Sequence, residues 1–307
     1  MSGYASPLHA VKVKLPERIV ADGIEARGAG HGWPGCAFCL TEETTETLYL
    51  LGEQHRIVGI SGFTVRPPQA RKEKPKVSAF TSAKIDKILA LEPDLVLGFS
   101  DLQADIATQL IRHGVAVHIF NQRSVAEIFG MIAMLGAMVG ATQKATALID
   151  RYAADIAAIR LSATEFEHRP CVYFEEWDDP LISGIRWVSE LIEIAGGTDC
   201  FVEFAREPLA KNRIVRDPLE VVRRAPDIII GSWCGKKFQP EHVRQRPGWD
   251  AIPAVRHGHV YEIKSPDILQ PGPAALTDGL HQLHAGIRRW VEARGAVNNP
   301  LTVTHSL

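Results

Sequence analysis

The sequence contains the same two elements twice, in the same order, and this duplication limits the architectures that the chain can adopt. "EPDLVLGFSD" (92–101) and "APDIIIGSWC" (225–234) both run from Pro-Asp through branched aliphatic residues to Gly and an aromatic residue. Downstream, "RHGVAVHIF" (112–120) and "RHGHVYEI" (256–263) form a second matched pair. Short apolar runs that alternate with helical segments are typical of a largely parallel sheet. We therefore expect an α/β protein with two Rossmann-like lobes and mainly parallel sheets.

One long helix is predicted between the halves. Residues 141–162 contain no Gly or Pro, and their apolar side chains recur at steps of three and four residues. At 1.5 Å per residue such a helix is about 30 Å long, and it fixes the separation of two lobes better than a Gly/Ser tether does. The predicted organisation is an N-terminal lobe over 1–140, a connecting helix over 141–162 and a C-terminal lobe over 163–307.

Composition narrows the class of protein further. The 307 residues exceed the usual size of one hydrophobic core, and a net charge of −2 offers no basic excess for nucleic acid. No apolar run approaches the ~18 residues of a membrane-spanning helix, and we see no secretory signal. We expect a cytoplasmic protein, or a periplasmic one if the true start lies upstream. The five cysteines, at irregular spacing, favour reduced thiols over a disulfide framework.

Aromatic residues cluster in the loops that follow the predicted strands. In a parallel α/β sheet, ligands bind outside the carboxyl ends of the strands. Rings in both lobes at this edge predict a large, flat, partly apolar ligand held between the lobes, although any single ring is equally typical of the core. The candidate packing surfaces are Trp33, Phe63, Phe99, Trp177 and Trp233.

The sequence resembles the helical-backbone substrate-binding proteins, which serve ABC importers of cobalamin, haem and ferric siderophores. The similarity spans "CLTEETTETLYLLGEQHRIVGIS", "KPKVSAFTSAKIDKILALEPDLVLGFSD", "DPLISGIRWVSELIEIAGGTDCF", "PLEVVRRAPDIIIGS" and "GWDAIPAVRHGHVYEI", in that order. It is greatest to the cobalamin-binding members, in which an aromatic residue packs on the corrin in the region of Trp177. The resemblance implies two lobes, little hinge closure, and a permease that docks on one acid per lobe, here Asp86 and Glu220.

Polar residues in the same loops suit a corrinoid. Glu175 would accept hydrogen bonds from corrin amide groups, Cys234 would act as a soft donor, and Lys236 would face a phosphate. Gln270 is expected to face the cleft. Cys36 is retained as a candidate ligand to a cobalt or iron centre, together with His31, although packing explains Cys36 and Cys39 as well and no motif completes a zinc site.

The leading hypothesis is non-enzymatic binding of a corrinoid, with cobalamin or a related metal chelate as ligand and no catalytic cofactor. One alternative keeps the fold and binds haem or a ferric siderophore through Arg66, Arg186 and Lys236. Another is an enzyme that uses Cys36 or Cys39 as a thiol nucleophile. We find no nucleophile elbow, P-loop or dinucleotide fingerprint. His113 and His257, at matched positions before Gly, predict helix caps rather than a metal site.

Overall fold

The N-terminal lobe is a five-stranded parallel sheet with helices on both faces. The computed structural model describes residues 34–298, with side chains to residue 295. The sheet order is β3-β2-β1-β4-β5, so the chain direction across the sheet reverses between β1 and β4. The elements are β1 (Ala37–Cys39), α1 (Glu42–Leu50), β2 (Ile57–Ser61), α2 (Ala70–Glu73), β3 (Lys76–Ser78), α3 (Ile85–Leu89), β4 (Leu95–Phe99), α4 (Ala104–Arg112) and β5 (Ala116–Phe120).

Two long helices follow the first lobe, α5 (Val125–Met138) and α6 (Thr142–Ala163). A capping box fixes the start of α5, because the Ser124 hydroxyl accepts from the Glu127 N–H and the Glu127 carboxylate accepts from the Ser124 N–H. The connecting helix α6 has 22 residues. It buries the apolar stripe that its sequence spacing predicts, namely Ala145, Leu148, Tyr152, Ile156 and Ile159.

The C-terminal lobe repeats the architecture with one irregular edge. Its sheet order is β10-β9-β6-β7, with β8 also on β6, and only the β6–β7 pair is antiparallel. The elements are β6 (Cys171–Asp178), β7 (Leu181–Ser183), α7 (Arg186–Ala195), β8 (Thr198–Asp199), α8 (Val202–Ala205), α9 (Leu219–Arg224), β9 (Ile228–Gly231), α10 (Pro240–Arg244), α11 (Pro253–Arg256), β10 (Val260–Glu262), α12 (Ser265–Ile268) and α13 (Leu280–Asn298). The predicted fold, two mainly parallel lobes with one long helix, is confirmed.

The repeated Pro-Asp pairs have the same structural task in both lobes. The Asp94 carboxylate accepts from the N–H groups of Gly35 and Cys36 at 2.7 and 3.0 Å, just before β1. The Asp227 carboxylate accepts from the Cys171 N–H at 2.9 Å, at the start of β6. Each aspartate thus ties the amino end of its own strand to that of the central neighbouring strand.

The repeated His-Gly pairs end matched helices. His113 is the C-cap of α4 and His257 that of α11, as the sequence predicts. Each is followed by a glycine with positive φ, +79° at Gly114 and +77° at Gly258. A side chain there would be strained, so Gly lets the chain turn directly into β5 or towards β10.

A common apolar core joins the lobes. The inner faces of both sheets pack with α1, α5, α6, α7 and α13 into one cluster of buried residues. Phe38 and Tyr173, by contrast, belong to separate clusters on the outer faces of the two sheets. Because the inner core is continuous, the lobes are held together by direct packing as well as by α6. Among the described residues, no helix is both long and apolar enough to cross a membrane.

Candidate functional site

The two lobes meet near the carboxyl ends of their central strands. Parallel sheets bind ligands where the direction of winding reverses, which here lies between β1 and β4 and between β6 and β9. The loops that leave these four strands begin at Leu40, Ser100, Asp179 and Ser232. Together with the loops after β2, β3 and β5, they line the region between the lobes that we call the crevice.

The N-terminal lobe contributes three phenylalanines, in different environments. Phe63, just after β2, is 64% exposed, which is unusual for so large an apolar side chain. Phe99, the last residue of β4, is buried, with the Arg123 guanidinium 4.7 Å from its ring centroid. Phe80, which we did not predict, is half-buried after β3. Phe63 therefore offers the more accessible surface, while Trp33 lies outside the described residues.

The two predicted tryptophans of the C-terminal lobe differ in accessibility. Trp233 is 2% exposed, packs edge-on against Phe238 and donates its indole N–H to Glu175. It is a core residue, so its assignment as an open stacking surface is wrong. Trp177 is half-buried at the end of β6. Lys236 lies over both indoles, 5.4 Å from Trp177 and 4.9 Å from Trp233.

Glu175 is a structural acid, which corrects its assignment as a ligand contact. It is fully buried and accepts two hydrogen bonds from Arg246 at 2.6 and 2.9 Å, besides that from Trp233. Neighbouring residues of a strand point to opposite faces, and β6 directs Tyr173 and Glu175 away from the inner core. Glu176 instead makes a two-pronged ion pair with Arg213, at 2.6 and 3.2 Å.

The three cysteines considered for the site lie in different environments. Cys36 precedes β1, at the amino end of the strand and opposite the crevice, so the structure contradicts its assignment as a ligand. Burial raises the pKa of Cys39 to about 11, which opposes thiolate chemistry at that position. Cys234 is exposed, just after β9. Desolvation and the charges of Glu176 and Glu42 raise the pKa of the Cys234 thiol, so carboxylates of both lobes act on it.

No cluster in the described part of the chain has three His, Cys, Asp or Glu residues placed to hold a metal ion. His31 lies outside the described residues.

The first turn of α1 is an acidic segment that we did not predict as part of the site. Glu42 and Glu43 are both buried, and desolvation is the main cause that raises their pKa values, to about 8 and about 7. Glu42 accepts the Arg66 N–H at 2.8 Å, and Glu43 accepts the Thr41 hydroxyl at 2.6 Å. The second oxygen of Glu43 is buried without a hydrogen-bond partner. The helix dipole favours carboxylates here, but burial outweighs it.

Arg66 joins the two lobes through three carboxylates. Its Nε lies 2.9 Å from Glu46 in its own lobe, while Nη1 and Nη2 lie 2.9 Å from Asp267 and 2.6 Å from Asp278 in the other. Arg186 is likewise paired, with Glu190 at 2.9 Å. Both arginines considered for an anionic ligand are thus engaged in structural ion pairs.

Residues 270–274 of the C-terminal lobe close the base of the crevice. The Gln122 amide donates to the Pro271 carbonyl at 2.8 Å, and the Ala274 N–H donates to Glu46 at 3.2 Å. A Cβ on Gly272 would lie 2.5 Å from the Glu43 Cβ, so only glycine allows this approach. Gln270 itself is half-buried beside this contact.

Of the predicted cations, Lys236 is already neutralised. Its ammonium lies 2.6 Å from Asp178, so a phosphate would have to compete with that carboxylate.

Of the two predicted docking acids, Asp86 is exposed in the first turn of α3. Glu220, in the first turn of α9, pairs with Arg223 and Arg224 at 2.8 and 3.0 Å. Docking through these acids stays a prediction, for which loss of permease binding by an Asp86→Lys variant is the test.

The C-terminal lobe has a cavity of its own, larger than the one between the lobes. An open cavity of about 710 Å³ is lined by residues of the C-terminal lobe alone, including Asp179 after β6, Arg216 and Trp249. A cavity of about 270 Å³, by contrast, is lined by residues of both lobes. We place the candidate site at the crevice despite the smaller volume, because both winding reversals meet there.

Comparison with known proteins identifies the family. The family model for periplasmic binding proteins matches residues 38–266. An uncharacterised ABC transporter substrate-binding lipoprotein of Bacillus subtilis is 27% identical over 81% of this chain and 78% of its own length. A vitamin B12-binding protein of Vibrio parahaemolyticus is 24% identical over 77% and 84%. A periplasmic haem-binding protein in complex with two haems has the same fold, with a TM-score of 0.71 at 21% identity over 83% and 98%. The chain belongs to the periplasmic binding protein family.

Proposed function

We propose that this protein binds a corrinoid of the cobalamin type in the crevice between its lobes. The observation that carries the proposal is that each lobe places an exposed or half-buried ring at or just after the carboxyl end of a strand, Phe63 and Phe80 on one lobe and Trp177 on the other. Aromatic surfaces of this kind suit the face and rim of a large planar macrocycle. Similarity to the vitamin B12-binding protein along most of both chains supports a corrin as that macrocycle.

Buried polar atoms near the crevice supply acceptors for such a ligand. One oxygen of Glu43, the amide oxygen of Gln122 and the hydroxyl of Ser232 are all buried without a hydrogen-bond partner. Buried polar atoms are normally paired, so each of these acceptors would gain a partner if a ligand donor reached it. The periphery of a corrin carries amide N–H groups, which are donors of the required kind.

The crevice is largely formed before binding. The continuous inner core, the Arg66 ion pairs and the contact of Gly272 with Glu43 restrict relative movement of the lobes. A preorganised site loses less conformational entropy when the ligand enters, which favours affinity without a large closing motion.

Titration with cobalamin, followed by tryptophan fluorescence and the corrin absorption bands, tests the proposal. We expect saturable binding at or below micromolar concentrations. Phe63→Ala should weaken it about three- to tenfold, since an aromatic contact contributes about 0.5–1.5 kcal/mol. Leu161→Ala is the matched control, because Leu161 is also an exposed apolar residue, at 69%, but lies on α6 outside the crevice.

Absence of cobalamin binding at micromolar concentrations would contradict the proposal. The same titration with haem decides the alternative within the fold, which the similarity to a haem-binding structure raises. Tighter binding of haem than of cobalamin would replace the corrinoid as ligand while retaining the crevice as the site.

A further inference from the structure

One arginine at the crevice has a guanidinium with no ion pair among the described residues. Arg123 follows β5 and is half-buried, and no carboxylate in the described residues lies within ion-pair distance of its guanidinium. The other arginines and the lysine considered above each have an acidic partner: Arg66, Arg186, Arg213, Lys236 and Arg246. A half-buried charge without a counter-ion is costly, so this position needs an explanation.

The contacts of Arg123 hold the guanidinium in place without neutralising it. Its Nη2 donates to the Asn121 side-chain oxygen at 2.9 Å, and its Nη1 makes a long contact of 3.5 Å with the Pro208 carbonyl of the other lobe. The guanidinium stacks over Phe99. Its Nε is buried and has no hydrogen-bond partner. Arg123 is thus positioned by neutral groups and retains unused donor capacity.

A second arginine lies near Arg123, on the other lobe. Arg213 of the C-terminal lobe is 1% exposed, and its Nε too is buried without a partner, although Glu176 binds its other nitrogens. Burial is the main cause that lowers the pKa of Arg123, and the charge of Arg213 acts in the same direction, while the carboxylates of Asp101, Glu127 and Glu176 act in the opposite direction from beyond ion-pair distance. The positive charges of the two guanidinium groups therefore repel each other across the lobes. Asp101 is exposed and beyond ion-pair distance, so it does not occupy the donors of Arg123.

The cavity beside Arg123 is small and shared by both lobes. Its volume of about 270 Å³ is below the range of about 300–1,000 Å³ for sites that enclose a whole drug-sized ligand. It therefore suits a peripheral group of a larger ligand rather than a macrocycle. Its lining residues are Ser100, Asp101, Ile119, Asn121, Arg123, Pro208 and Leu209.

We propose that Arg123 binds an anionic oxygen group on the periphery of the ligand, a phosphodiester or a carboxylate, in this interlobe cavity. The inference rests on the proposed function, since it assigns one substituent of the corrinoid that the crevice holds. A guanidinium forms strong, directional hydrogen bonds to either group. It would therefore select among corrinoids by the charge of their side chains.

Three corrinoids separate the sources of the anion. Cobalamin carries a phosphodiester, cobyric acid carries a free carboxylate, and cobinamide carries neither. Calorimetric titration of the wild type should give at least about tenfold tighter binding for one of the first two than for cobinamide, since a hydrogen bond to a charged group contributes about 1.5–3 kcal/mol. Whichever binds tighter identifies the source.

Arg123→Gln should abolish this preference and leave cobinamide binding within about threefold of the wild type. Arg123→Lys should retain part of the preference, because it keeps the charge but not the fork of donors. Arg223→Gln, at an exposed arginine of α9, is the matched control and should change nothing. Thermal melting of each variant checks that the fold is intact.

The two proposals fail in different ways. Equal binding of all three corrinoids by the wild type, or an unchanged preference in Arg123→Gln, overturns the role of Arg123 and leaves corrinoid binding in place. Failure of all three to bind overturns the proposed function and this inference with it.

Discussion

Replacement of Arg66 by alanine should lower the free energy of unfolding by about 1–3 kcal/mol, less than the cost of breaking a fully buried ion pair, because Glu46 is buried but Arg66 and Asp278 are partly exposed. Arg66 neutralises Glu46, which is buried, together with Asp267 and Asp278 of the other lobe. Without the guanidinium, three carboxylates would face one another between the lobes. Because two of them belong to the opposite lobe, the same change should loosen the lobes and weaken ligand binding. Urea unfolding at neutral pH measures the first effect.

The matched control for this prediction is Arg223→Ala. Arg223 also contacts two carboxylates, Asp217 and Glu220, at 2.7 and 2.8 Å, but its side chain is 57% exposed and all three groups lie on one surface. Exposed ion pairs contribute little, so we expect a loss below about 1 kcal/mol. Comparable losses for the two variants would show that the Arg66 network is not a buried connection between the lobes.

Stability should fall as pH rises from about 5 to 8, and Glu42→Gln should remove much of that fall. The native pKa of Glu42 is about 8, above its ordinary value, chiefly because burial disfavours the charged form. In this window the native state therefore holds a proton that the unfolded chain has released, and the free energy of unfolding decreases with pH. Glu43, with a pKa of about 7, acts in the same direction.

The expected gain for Glu42→Gln is about 1–3 kcal/mol at pH 8.5, with little change at pH 5, because glutamine keeps an acceptor for the Arg66 N–H without the charge. Urea unfolding of wild type and variant at both pH values measures it. Glu241→Gln is the control, since Glu241 also lies in the first turn of a helix but is 67% exposed. A pH dependence that is the same in wild type and Glu42→Gln would contradict the assignment of a protonated acid to this position.

The fold was predictable because its signals are local and occur twice. Pro-Asp before an apolar run indicates a strand, and the structure shows that Asp94 and Asp227 make equivalent backbone contacts. The apolar stripe of 141–162 indicates a helix by its spacing, and α6 spans Thr142–Ala163. Neither feature depends on contacts between distant residues.

The site was less predictable because it depends on which way each side chain points. Alternation along β6 indicates that Glu175 and Glu176 face opposite sides, but not which one faces the crevice. Trp233 follows a strand end, as a ligand contact would, and yet is buried against Phe238. Cys36 was assigned wrongly because β1 begins at Ala37, so Cys36 lies at the amino end of that strand, away from the crevice.

Two further groups escaped prediction because their sequence context resembles ordinary surface. "TEETTET" reads as a solvated helix start, although Glu42 and Glu43 are buried against the other lobe. Arg123 and Arg213 are single arginines in polar loops, with no motif around them. The available signal was position, since Glu42 follows β1 at the winding reversal and Arg123 follows β5, the strand next to β4.

Hydrogen–deuterium exchange with and without cobalamin tests the central claim most directly, because it locates the ligand on both lobes at once. We predict slower exchange in segments of the N-terminal lobe (62–66, 99–103 and 120–123) together with segments of the C-terminal lobe (207–213 and 232–237). Protection confined to 178–181, 214–219 and 246–249, around the cavity of about 710 Å³ on one lobe, would contradict this claim. So would unchanged exchange at saturating cobalamin.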